Sequence, residues 1–235
     1  MLKIEKTVLP SPEQWEIMIE GMRNPKNSWH LMDSKKIITN GDDVEAYDDC
    51  PDWGYEIGAN DHKLMMGLAK GGAVHAKYRR MIPVFLTIDA PLYWWKEFDA
   101  YKVGTVANSC STMHKIHAKE FTLDDFSHEH LTVQAKKIMG EVITELNKAR
   151  DNFLDFVDYW PEDEEITCKK DFWWLMIQLL PSSYNQKRTV MLNYEVLAKM
   201  YVERKNHKLD EWHTFCDWIE QLPYPEIIIG GGLSV

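Results

Sequence analysis

A chain of 235 residues with 45% hydrophobic and 27% charged residues has the make-up of a globular protein with a sizeable core, which excludes a disordered tail or low-complexity scaffold. Lys and Arg number 27 against 37 Asp and Glu, so a net charge of −10 argues against general affinity for nucleic acid or an acidic membrane and leaves room for a local cationic pocket around a small anion. Ten Trp belong in a core, a subunit interface or a stacking site.

The opening residues, MLKIEKTVLP, lack a signal-peptide stretch, and no apolar run reaches the length of a membrane span, so a cytoplasmic protein with no membrane partner is expected. Cys50, Cys110, Cys168 and Cys216 form no CxxC pair and read as free thiols of a reducing compartment. Ser11 before Pro12 predicts a capped helix running to about Arg23. Residues 24–60 read as irregular, with a short strand at Lys36–Thr39 and an acidic patch at Asp42-Asp43 and Asp48-Asp49. Asp61 is expected to cap a helix through Leu64, Leu68 and Val74, weakened at its end by Gly71-Gly72. Met81–Ile88 is the best strand, starting near a sheet edge because of Pro83 and closed by Ala90-Pro91.

A helix is predicted over Leu92–Tyr101, carrying Trp94, Trp95 and Phe98. The stretch after Val103, GTVANSCST, is built of small residues that let backbone approach a ligand closely. From Leu131 onward Ala135, Ile138, Val142, Leu146, Ala149 and Phe153 step by three or four, which predicts one long amphipathic helix ended by Trp160-Pro161. Phe172–Leu180 is a further helix halted by Pro181; Val190, Tyr194, Leu197 and Tyr201 define the next, and Leu209–Leu222 the last. The tail IIIGGGLSV is expected to fray, and with no repeat or linker the chain reads as a single mixed domain over residues 1–235.

Several motifs are missing. GxSxG, a Walker loop and GxGxxG are absent, which removes the main signals of nucleophile-elbow hydrolases, P-loop enzymes and Rossmann dehydrogenases. Gly67–Gly72 lacks the Lys-Ser/Thr of a phosphate loop and reads as a helix C-cap. His114, His117, His128 and His130 lie close in sequence, but without HExxH no metal site is expected. The basic run Lys77-Tyr78-Arg79-Arg80, with Lys96, Lys102 and Lys115, frames GTVANSCST. Hydroxyls, an amide and backbone N–H groups beside cations suit phosphate, and a packing joint among solvated charges is the equal alternative. Asn193 and Arg204 are eleven residues apart, so they share one helix face.

Two of these segments together resemble the flavin-dependent thymidylate synthase family, whose signature is written RHRxxSxNExSxRY. Tyr101–His114 aligns with it without a gap, Asn108 on the signature Asn and Ser111 on its final Ser. Val84–Ala90 is similar to the family strand before the motif, and His75 lies near its HxSxxEH segment. Leu180-Pro181, Asn193 and Arg204 keep the family spacing of Leu-Pro, Asn and Arg, so the resemblance covers roughly residues 60–215. It implies a mixed α+β single domain, with a central, largely antiparallel sheet and long helices. It also implies a homotetramer, and transfer of a one-carbon unit from methylenetetrahydrofolate to C5 of dUMP with FAD, reduced by NADPH, as hydride source.

By the same resemblance Ser111 is the catalytic candidate and contacts nucleotide together with Asn108, with Lys102 and Arg79 as cationic partners. His75, Asn193, Arg204 and Lys102 are the cofactor-binding candidates. The family's Arg-His-Arg is Tyr101-Lys102-Val103 here, its Glu is Ser109, and two nucleotide-contacting arginines are Met113 and Ala198. His114, Lys115, Lys102 and Lys199 are the nearby cations that would compensate, since no uncharged side chain replaces a bidentate guanidinium. Those departures keep two alternatives open: a related enzyme modifying C5 of another pyrimidine nucleotide, and a non-catalytic oligomeric nucleotide-binding protein that keeps the fold.

Overall fold

The computed structural model describes residues 1–38, 53–156 and 168–230. Its strands are β1 (Lys3–Val8), β2 (Lys35–Ile38), β3 (Trp53–Glu56), β4 (Pro83–Pro91), β5 (Val106–Ser109) and β6 (Asn185–Asn193). Its helices are α1 (Pro12–Arg23), α2 (Ala59–Lys70), α3 (Leu92–Phe98), α4 (Thr112–Lys115), α5 (Val133–Leu154), α6 (Lys169–Leu179), α7 (Tyr194–Arg204), α8 (Asp210–Glu220) and α9 (Glu226–Ile229). One sheet has the order β1-β4-β6-β5, and β2 pairs antiparallel with β3, Lys35 opposite Glu56 and Ile38 opposite Trp53. The fold is mixed α+β, as the sequence predicts. Two compact units form, each from three stretches: Met1–Glu5, Thr87–Ala100 and Asn108–Thr189 in the first, Lys6–Leu86, Tyr101–Ala107 and Val190–Val235 in the second.

In the first unit α5 packs on α6. Thr132 caps α5 by accepting from Ala135 N at 3.2 Å. The three-and-four spacing of its apolar residues turns Leu146 and Ala149 into a core with Ile116, Phe121, Phe126 and Met176. The helix ends at Leu154, short of the expected stop at Trp160-Pro161, which lies outside the described residues. On α3, Trp94, Trp95 and Phe98 stack with ring centroids 4.9–5.2 Å apart, and both tryptophans are fully buried.

In the second unit Ser11 and Gln14 form a reciprocal capping box that starts α1, with Pro12 in its first turn. Trp15 meets the rings of Tyr194 and Tyr224 edge-on, and Met18 and Ile19 lie beneath. The tail does not fray over its first residues: α9 buries Ile227 and Ile228 completely, while residues 231–235 lie outside the described set. Val190 belongs to β6 rather than to the helix predicted around it, and that helix begins at Tyr194. Its i,i+4 spacing with Tyr194 imitated a helix across a strand-to-helix junction. Of the strand expected at Lys36–Thr39, Lys36–Ile38 lies in β2; Thr39 and the acidic patch fall outside the described residues.

Asp61 does not cap α2; Gly58 holds that position. Its carboxylate instead accepts from Arg23 Nε at 2.5 Å, from the Asp33 and Ser34 backbone at 3.0 and 2.9 Å, and from Ser34 Oγ at 2.6 Å. Asp33 takes over the N-terminal duty, accepting from Asn60 N and Asp61 N at 2.9 and 3.0 Å. Arg23 and Asp61 are 2% and 0% exposed, so this is a buried ion pair. Burial pushes the Asp61 carboxyl up, and hydrogen bonds from the Ser34 hydroxyl, the Asp33 backbone, Arg23 and the Ser34 backbone outweigh it, holding the pKa below the ordinary 3.8. A folded pKa below the unfolded one contributes stability that is complete above the unfolded value and lost as pH falls through the folded one. Asp61→Asn is therefore expected to cost about 3–5 kcal/mol at neutral pH, because it strands a buried guanidinium. It should also flatten the acid limb of stability below about pH 4. Urea unfolding midpoints of both proteins at neutral and acid pH check this.

Candidate functional site

The first unit holds a cavity of about 580 Å³ lined by the loop Ser109–His114, by Leu92, Ile177 and Leu180, and by Gln186 and Arg188 on β6. Ser111 is the N-cap of α4; its Oγ accepts from His114 N at 3.2 Å, which leaves its O–H to donate outward. Gln186, 8% exposed, ties this loop to β6: its Nε2 donates to Thr112 Oγ1 at 2.8 Å and to the Cys110 carbonyl at 3.3 Å. Its Oε1 accepts from Arg188 Nε at 2.9 Å. Arg188 lies over the Trp95 ring, 4.3 Å from its centroid, and donates from Nη1 to Asp99 at 2.8 Å. Trp95 in turn donates its indole N–H to the Gln186 carbonyl at 2.8 Å. Among the described residues no carboxylate lines this cavity.

The second unit places the sequence-predicted cofactor residues in two groups. Tyr101 is 7% exposed; its hydroxyl donates to Glu203 at 2.7 Å and accepts from Arg204 Nε at 2.8 Å. The Arg204 guanidinium also lies 5.5 Å from the Tyr101 ring and 4.9 Å from that of Trp212. Burial, then the bond to Glu203, pushes the Tyr101 hydroxyl up to about 12 against the pull of Arg204, so it stays protonated at neutral pH. Lys199 reaches the same ring at 5.8 Å. Asn193, on the same α7, caps that helix by accepting from Val196 N at 3.0 Å. Gly104, at φ +83°, lies so close that a Cβ there would come within 2.8 Å of Val196 Cγ2 and 3.0 Å of Asn193 Nδ2.

His75 lines a separate cavity of the second unit, about 580 Å³, with Arg23, Lys26, Ser28, Leu31 and Lys63 among its walls. Arg23 Nη2 is buried there and has no hydrogen-bond partner among the described residues. Arg79 is not near the surface: it is 1% exposed, 3.6 Å from Glu195, and turned away from solvent. Lys102, Asn108, His114, Lys115 and Lys199 are exposed. Ser111 and His114 therefore share a cavity, Arg204 and Lys199 share the Tyr101 ring, and Arg79 and His75 stand elsewhere in the second unit. Among the described residues no group of three His, Cys, Asp or Glu gathers as metal ligands, and no helix is long and apolar enough to cross a membrane.

Sequence reasoning missed Arg188, Gln186 and Arg23. The first two lie on a strand read as the approach to a helix, and their alternation, one buried polar residue and one half-buried cation flanking exposed Lys187, was the signal available. Arg23 was read only as the end of α1.

Two solved structures from Helicobacter pylori resemble the chain. One is flavin-dependent thymidylate synthase ThyX complexed with FAD and dUMP, 13% identical, with a TM-score of 0.57 and coverage of 98% of each chain. The other is Thymidylate Synthase X (ThyX) with FAD and dUMP, 14% identical, with a TM-score of 0.58 and coverage of 100% of this chain and 99% of that one. At such identity the likeness is one of fold. No family model and no curated protein matches the chain.

Gly104→Ala is expected to lose about 1–3 kcal/mol, since it adds both a strained φ and two clashes. Asn193→Ala should lose about 1 kcal/mol of cap. Thermal melts of the two variants, with Gly104→Ala the lower, check the joint between the 102–105 loop and α7.

Proposed function

We propose that the chain is a flavin-dependent enzyme of pyrimidine nucleotides, of the thymidylate synthase type, acting on dUMP with methylenetetrahydrofolate as one-carbon donor and NADPH as reductant. The observation that carries this reading is a fold shared end to end with two proteins solved with FAD and dUMP. Two cavities of suitable chemistry support it, each within one unit.

The second unit's cavity fits FAD by its donor set. Arg23 Nη2 is a buried donor lacking an acceptor, Lys26 and Lys63 add cations suited to a pyrophosphate, and Leu31, Leu64 and Leu68 give a ring system its apolar wall. Of the cofactor candidates His75 is on this wall and would hold the cofactor there, which when bound and reduced supplies hydride, whereas Asn193, Arg204 and Lys102 are not among its lining residues. Arg204 and Asn193 are held by contacts of their own, one against Tyr101 and Trp212, the other as the cap of α7. In the first unit Ser111 would donate its hydroxyl to the nucleotide with His114 on the same wall. The exposed Asn108 and Lys115, which flank that stretch in sequence and do not line the cavity, would add an amide and a cation from its edges. Leu92, Ile177 and Leu180 give that cavity its apolar wall. Lys102 and Lys199 are exposed cations of the second unit, whereas Arg79 lies beneath its surface, 3.6 Å from Glu195. A cytoplasmic homotetramer belongs to the same reading; Val103 and Val106, 91% and 61% exposed, are apolar side chains that a subunit contact would cover.

A second reading, the same chemistry on dCMP or UMP, is favoured by one observation: Met113 lines the nucleotide cavity where a guanidinium is expected by resemblance. Purified protein saturated with FAD and freed of excess is expected to keep flavin absorbance and to release tritium from C5 of labelled dUMP. Release from dCMP or UMP alone selects the second reading. Loss of all flavin, with no rise in melting temperature from FAD or any pyrimidine nucleotide, overturns both and leaves a fold kept for assembly, since a ligand selective for the folded state must stabilise it.

A further inference from the structure

We propose that Arg188 anchors the phosphate of a nucleoside monophosphate in the first unit's cavity, an inference that rests on the nucleotide reading above and names the group that holds its charge. Among the described residues Arg188 is the only guanidinium on the cavity wall, and no carboxylate shares that wall. It is fixed on three sides: Trp95 beneath the plane at 4.3 Å, Gln186 Oε1 on Nε at 2.9 Å, and Asp99 on Nη1 at 2.8 Å. Those contacts leave Nη2 and its two N–H groups without a protein acceptor among the described residues.

Asp99 is half exposed, so it orients Arg188 while water screens its charge, and the guanidinium keeps its attraction for a stronger anion. Gln186 is the organising residue. Its carbonyl oxygen holds Arg188 and its amide holds Thr112 and Cys110, so the guanidinium and the loop bearing the Ser109 and Ser111 hydroxyls are set by one buried side chain. Guanidinium N–H groups and serine hydroxyls on the wall of one cavity suit a phosphate monoester, which offers three acceptor oxygens and a concentrated negative charge. Binding would not have to order Arg188, because its contacts with Trp95, Gln186 and Asp99 already do so.

The test uses titration calorimetry with dUMP, dCMP and UMP, their unphosphorylated nucleosides, and inorganic phosphate. In the wild type a monophosphate is expected to bind at least roughly tenfold more tightly than its nucleoside, the minimum that a charge-assisted guanidinium contact supplies. Arg188→Met should remove that difference and leave nucleoside affinity unchanged. Arg188→Lys, which keeps the charge without the fork, should restore part of it. Met113, on the same wall, offers a second position: Met113→Arg placed in the Arg188→Met background should recover phosphate-dependent affinity. Near-ultraviolet circular dichroism confirms that each variant is folded. If Arg188→Met does not fold, the Arg188→Lys protein and the wild-type comparison of monophosphate with nucleoside carry the decision.

The proposal is overturned if folded Arg188→Met binds monophosphate as the wild type does, or if the wild type does not distinguish nucleotide from nucleoside. Tritium release in the wild type together with an indifferent Arg188→Met removes the anchor and leaves the enzymatic reading. Arg188-dependent phosphate affinity in a protein that releases no tritium does the reverse.

Discussion

The second unit depends on one carboxylate. Asp61 accepts from Arg23 at the end of α1, from the Asp33 and Ser34 backbone, and from the Ser34 hydroxyl, all from within the first turn of α2. A buried carboxylate with that many donors is held ionised, and Arg23 in turn reaches back to the Ser28 carbonyl and hydroxyl at 3.3 Å. Helix end, turn and helix start are thereby fixed to one another. The cavity lined by Arg23, Ser28, Asn60 and Lys63 is the space left between elements that this network spaces apart. Its geometry follows from the ion pair, and so does its charge, because Arg23 would not be kept in so dry a place without Asp61.

The first unit reaches a similar end by other means. There the fixed cation is Arg188, its support is an aromatic ring, and the intermediary is an amide rather than a carboxylate. In both units a guanidinium is held through Nε and Nη1 with Nη2 left over, and in both the surrounding wall is largely apolar by area. This reconciles a chain of net charge −10 with the anionic ligands proposed for it. The excess of carboxylates lies elsewhere or orients arginines, and local potential rather than total charge decides what a cavity receives.

How much of this was legible in the sequence depended on whether a residue acts through its neighbours along the chain. Ser11 with Pro12, the stepped apolar residues of α5 and the alternating Val84, Leu86, Ile88 and Ala90 of β4 act locally, and each element was predicted. β1 and β5 are nearly or wholly exposed strands with no apolar alternation to read, and β6 begins with Gln186, Lys187 and Arg188 before its buried half. Asp61 had the right local setting for a cap and was drawn away by Arg23, 38 residues earlier. Tyr101 is similar: read as a lost arginine, it is the buried ring and hydroxyl on which Arg204 rests, 103 residues away. The spacing of Asn193 and Arg204 located both on α7 or its cap; what they touch became visible only in three dimensions.

The three described cysteines differ in a way that gives the first cavity its own reporter. Cys110 sits on the cavity wall next to Ser111 and is exposed, as is Cys168 on the far side of the sequence. Burial, followed by the charges of Asp217 and Glu220, pushes the Cys216 thiol up to about 11, which leaves almost no thiolate at neutral pH. An alkylating reagent is therefore expected to reach Cys110 and Cys168 well ahead of Cys216. Whatever fills the space around Ser111 must shield Cys110 from attack while Cys168 continues to react, so the ratio of the two labelling rates is a footprint of occupancy that requires neither turnover nor a coloured ligand.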